Sequence, residues 1–105
     1  MRLTQKQINV IRQVVAKLIP YKGAKVFLFG SRSDDTQKGG DIDLLFEIPN
    51  FSGDGFRLQM DFMTEYCKHL DEEKIDITIY DPENQKDSNI DFVKAINKKT
   101  LLWKK

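Results

Sequence analysis

The chain has 105 residues and a mass of 12.2 kDa, the size of one domain, expected to span 1–105, since two halves would each lack a core. Hydrophobic residues make up 40% and charged residues 31%, a globular composition that excludes a disordered tail, a collagen or a coiled-coil rod. Seventeen basic residues against sixteen acidic ones leave a formal charge of +1, without the basic excess expected of a duplex nucleic-acid binder.

No apolar run approaches the ~20 residues that cross a bilayer. The opening MRLTQKQINVIRQ lacks the apolar stretch of a signal peptide. Cys67 is the one cysteine, so no internal disulfide can form, and the expected location is the cytoplasm, away from membranes. His69 is the one histidine, so a Cys/His zinc site cannot be assembled. Metal chemistry would rest on carboxylates, which favour hard ions such as magnesium.

Ile8, Ile11, Val15 and Leu18, with Val14 beside them, recur at helical spacing and predict an amphipathic helix from Thr4 to Ile19. Thr4 is its expected N-cap, with Gln7 completing a capping box, and Pro20 closes it. Ala24 to Phe29 (AKVFLF) reads as a buried strand. Residues 30–40 (GSRSDDTQKGG) hold no large apolar side chain and read as a loop. Asp41 to Ile48 (DIDLLFEI) returns to strand composition and stops at Pro49.

Phe56, Met60, Met63, Cys67 and Leu70 are spaced as one face of a second helix, with Asp54 as its cap and Cys67 in its core stripe. Leu58, Phe62 and Tyr66 form a second apolar flank, a candidate docking surface for a partner. Lys74 to Tyr80 (KIDITIY) alternates, with Ile75, Ile77 and Ile79 on one side and Asp76, Thr78 and Tyr80 on the other. Asp87 or Ser88 can cap a last helix that buries Ile90, Val93 and Ile96. Leu101, Leu102 and Trp103 read as an edge strand or a docked turn. The predicted fold is α/β (α+β), a small mixed sheet of three to four strands with helices packed on one face.

Two features carry chemistry. Gly30-Ser31 ends a strand at the mouth of a loop, where a glycine lets backbone N–H groups approach a phosphate and a serine hydroxyl can donate to it. Arg32 and Lys38 could neutralise charge developing on that phosphate. Asp41 and Asp43 project from one face of the next strand, and Asp76 stands on the polar face of the third. Three carboxylates side by side repel one another unless a cation joins them. Two magnesium ions about 3.5–4 Å apart could be bridged by such a set, one activating a hydroxyl and the other holding phosphates, with Asp76 as base toward the hydroxyl.

Gly30-Ser31, nine intervening residues and Asp41-Ile42-Asp43-Leu44, followed by KIDITIY, resemble the signature of the DNA polymerase beta-like nucleotidyltransferase superfamily, and most of all its minimal nucleotidyltransferases. The loop is one residue shorter than is usual there, and Asp34 stands where many relatives carry a second arginine. The resemblance implies that a nucleoside monophosphate, usually AMP from ATP, passes to a hydroxyl with magnesium. It implies that Asp41, Asp43 and Asp76 bind the metal and that Gly30 and Ser31 hold the nucleotide. Minimal members are often encoded beside a helical HEPN protein resembling a ribonuclease toxin, and they act as its antitoxin by adenylylating a toxin tyrosine. The expectation is therefore an adenylyltransferase antitoxin with a HEPN partner, in a hetero-oligomer or homodimer. The alternatives are a non-catalytic module that neutralises or regulates a partner by binding, and a nucleotidyltransferase acting on a small molecule of the aminoglycoside type.

Overall fold

A computed structural model describes residues 3–30, 41–71 and 73–105. The elements follow in the order α1 (Gln5–Leu18), β1 (Lys25–Phe29), β2 (Ile42–Glu47), α2 (Gly55–Cys67), β3 (Ile75–Tyr80), α3 (Ile90–Lys94) and β4 (Lys99–Lys104). This is the predicted order, and the apolar tail is a fourth strand. The capping box forms as expected: the Thr4 hydroxyl accepts from the Gln7 N–H at 3.0 Å, and the Gln7 side chain accepts from the Thr4 N–H at 2.7 Å. Asp54 caps α2 by accepting from the Arg57 N–H.

The strands form one mixed sheet in the order β3-β2-β1-β4. β1 runs antiparallel to both β2 and β4, and β2 runs parallel to β3. The β1–β2 pair needs only a reversal of the chain, whereas the parallel β2–β3 pair needs a crossover, which α2 supplies. Val26 and Leu28 of β1 and Ile42, Leu44 and Phe46 of β2 point to one face. There they join Ile11 and Val15 of α1 and Phe62 and Tyr66 of α2 in the core.

Strand alternation sends Phe27, Phe29, Asp43, Leu45, Asp76 and Thr78 to the opposite face. The short α3 meets this side, where the ring of Phe92 stands edge-on to Phe29 at 5.8 Å. Among the described residues no helix is long and apolar enough to cross a membrane.

Two expectations on α2 are reversed. Phe62 and Tyr66 are fully buried, and Leu58 packs against the core, so this flank is no docking surface. Phe56 is 72% and Met60 50% exposed, and Cys67 lies in solvent rather than in the core. The aromatic flank wins because its rings remove more apolar area from water and find ring partners. Phe62 meets Phe46 at 5.6 Å and stacks on Tyr66 at 5.9 Å. The Tyr66 hydroxyl donates to the Glu73 carboxylate, so its polar end is satisfied.

The last helix also differs. None of its residues is buried, and Ile90, Val93 and Ile96 are only half-covered. Its N-cap is Asn89, without a side-chain cap bond. Asp87 instead accepts from the backbone N–H groups of Asp81 and Asn89, bracing the turn that precedes the helix.

The two flanks of α2 predict opposite mutational outcomes. Phe62→Ala should cost about 3–5 kcal/mol, the usual cost of emptying a buried aromatic site. Phe56→Gln should change stability by less than about 0.5 kcal/mol. Urea unfolding of both variants checks the assignment of faces.

Candidate active site

The site grows out of strand register. Asp43 of β2 pairs with Asp76 of β3 on one side and with Phe29 of β1 on the other. Phe29 in turn pairs with Lys99 of β4. Asp76, Asp43, Phe29 and Lys99 therefore form a row across the sheet, on the face away from α1 and α2. Asp41 stands two residues before Asp43, hence on the same face. The three aspartates picked out in the sequence lie at one corner of the sheet, as the alternation of both strands requires.

Gly30 lies against this corner. Its φ is +75°, in the region that side chains other than glycine rarely adopt. A Cβ at this position would collide with the Asp43 carboxylate oxygen Oδ2. Gly30 thus leaves room for the Asp43 carboxylate. Ser31, Arg32 and Lys38 lie outside the described residues.

Electrostatics set Asp43 apart. Its pKa is raised, first because burial penalises the charged form, then because Asp76 and Asp41 repel it; Lys74 opposes the shift. Lys74 was not singled out as a site residue in the sequence. Its ammonium lies 3.3 Å from Oδ2 of Asp41. Its position two residues before Asp76 was the available signal, since that spacing puts both side chains on one strand face.

The donors fit a hard divalent cation in kind. They are carboxylate oxygens, they carry surplus negative charge, and they sit on adjacent strands. Among the described residues no group of three such side chains is placed to hold a metal ion. A separate groove of about 630 Å³ runs along the outer edge of β3, lined by residues that include Phe51, Phe56, Ile77, Ile79 and Asn89. Of the predicted site residues that are described, Gly30, Asp41, Asp43 and Asp76, none lines it.

With this geometry in view, the sequence can be placed among known proteins. The nucleotidyltransferase domain family model matches residues 8–102, and the chain belongs to that family. A crystal structure from Sulfolobus solfataricus, of a protein provisionally named a nucleotidyltransferase, shares the fold. It has a TM-score of 0.51 and 22% identity, covering 96% of this chain and 86% of that one. No curated protein matches the sequence.

The raised pKa of Asp43 has a definite sign. A carboxyl that ionises less readily folded than unfolded leaves the fold more stable at low pH. That stability is lost as pH rises through the folded-state pKa. Asp43→Asn should remove this loss, so that in metal-free buffer the variant unfolds at a higher temperature than the parent at pH 7. The gap should close toward pH 3, and calorimetry across that range measures it. Gly30→Ala should act in the opposite direction, costing about 1–2 kcal/mol from the left-handed backbone alone, measurable by urea unfolding.

Proposed function

We propose that the protein transfers a nucleoside monophosphate, AMP from ATP, to a hydroxyl acceptor, with Asp41, Asp43 and Asp76 binding magnesium. The observation that carries the reading is the pairing of Asp43 with Asp76 across parallel strands, with Asp41 on the same face and Gly30 against Asp43. An isolated D-x-D on a strand end has no such neighbours. Magnesium bound by these carboxylates would neutralise the nucleotide phosphates and the departing pyrophosphate.

The chain's own residues carry the remaining roles. Asp76 accepts the proton of the attacking hydroxyl. The hydroxyl oxygen forms a bond to the α-phosphorus as the bond from that phosphorus to the pyrophosphate oxygen breaks. Gly30 and Ser31 hold the triphosphate, and Arg32 and Lys38 balance its charge. In this proposal the nucleotide reacts on the face away from α1 and α2, the face on which Asp43 and Asp76 pair.

The acceptor in this proposal is a tyrosine of a HEPN-type helical toxin, so that transfer makes the protein an antitoxin acting in the cytoplasm. The family resemblance of GSR…GGDIDLLFE supports this acceptor. α-Labelled ATP, magnesium and the purified product of the reading frame beside this chain's own, which this proposal expects to be a helical HEPN-type protein, provide the test. Label should appear on the partner, map to a tyrosine, and vanish with Asp41→Asn or Asp43→Asn, a loss of at least about 10³-fold for removal of a metal ligand at the reacting centre. A variant that still neutralises the partner at full strength would instead establish a binding module. Label on an aminoglycoside rather than on protein would move the acceptor to small molecules.

A further inference from the structure

Asp41, Asp43, Lys74 and Asp76 form a two-by-two charge array. Asp43 faces Asp76 in the β2–β3 ladder, Ile42 and Ile75 form the rung before it, and Asp41 and Lys74 are the residues that immediately precede that rung on the two chains. The backbone closes the array at that end, because the Ile42 N–H donates to the Lys74 carbonyl at 3.1 Å. The Lys74 side chain then reaches across to Asp41, 3.3 Å away. Lys74 is thus held just before the first rung of the ladder, two residues from Asp76 and beside Asp41. Three negative charges and one positive charge leave the array at −2, the charge that one divalent cation cancels.

We propose that Lys74 is a built-in counter-ion of the acidic corner. In the protein without nucleotide it occupies the Asp41 side in the role of a cation, and a divalent ion must compete with it there. This rests on the reading of Asp41, Asp43 and Asp76 as metal ligands. Lys74 is a positioning residue: it acts through Asp41. The contact suits reversible displacement. Lys74 is 73% and Asp41 40% exposed along their side chains, and an ion pair this open to water holds its partners only weakly. A doubly charged ion at carboxylate distance outcompetes such a contact. The released ammonium stays beside the site on its four-carbon stem, a strongly hydrated point charge suited to an incoming phosphate.

The experiment is Mn²⁺ binding without nucleotide, read by electron paramagnetic resonance, on the full chain and the variants Lys74→Gln, Lys74→Arg, Lys25→Gln and Asp43→Asn. Lys25→Gln removes the same charge from the far end of β1 and controls for the net field. Lys74→Gln should bind Mn²⁺ at least about fivefold tighter than the parent, since the nearest competing charge is gone. Lys74→Arg should stay within about twofold of the parent, and Lys25→Gln likewise, being beyond a screening length at ordinary salt. Without metal, Lys74→Gln should also unfold at a lower temperature than Lys74→Arg. If Mn²⁺ binds in an Asp43-dependent way and Lys74→Gln leaves its affinity unchanged or weaker, Lys74 is no competitor and the inference falls alone. If neither the parent nor Lys74→Gln binds Mn²⁺ in an Asp43-dependent way, the inference falls together with the metal assignment.

Discussion

Crowding of like charges is the constraint on which the site depends. Asp43 is held between Asp76 and Asp41 on a face that burial partly closes to water, and its carboxyl resists ionisation for that reason. A fold selected for stability alone would not keep three carboxylates there. What keeps them together is the other face of the same strands. Ile42, Leu44 and Phe46 alternate with the carboxylates along β2 and lie in the core, with Ile75, Ile77 and Ile79 of β3 packed against it. A one-residue slip between β2 and β3 would carry aspartates into the apolar layer and isoleucines out of it. The core therefore fixes the register, and the register fixes the meeting of Asp43 with Asp76. Stability supplied on one face tolerates repulsion on the other.

The parts of this arrangement that could be read from the sequence are those with a strict local period. KIDITIY alternates without exception, so the side occupied by Asp76 follows from its isoleucines. Thr4 and Gln7 carry a capping signature that depends on four consecutive residues. Both structures are as expected. α2 was harder because two apolar stripes run along it, one of Phe56, Met60, Met63 and Cys67 and one of Leu58, Phe62 and Tyr66. Helical spacing is equally good for either. The choice is made by the sheet beneath, where Phe46 offers Phe62 a ring partner, and by Glu73 ahead of β3, which accepts the Tyr66 hydroxyl. Neither contact lies within the helix whose spacing is being read. The pairing of Lys74 with Asp41 was invisible for the same reason: it spans 33 positions and exists only once β2 and β3 are set side by side in parallel register.

The same distinction between local and cross-strand information bears on the spacing of the motif. Gly30 and Asp41 stand at the two ends of a chain reversal between antiparallel strands, and the Phe29–Asp43 pairing brings those ends together. The number of residues between Ser31 and Asp41 is then no measure of how far the glycine lies from the carboxylates. Loop closure depends weakly on length, about 0.6 kcal/mol for a doubling, so one residue fewer than usual leaves the approach of Gly30 to Asp43 to the ladder. The third carboxylate has no such latitude. Asp76 reaches the site through the α2 crossover, and its place is set by the residue-for-residue pairing of two strands whose other faces are buried. A shorter loop is compatible with an intact corner, whereas moving Asp76 by a single position along β3 would turn its side chain toward α2.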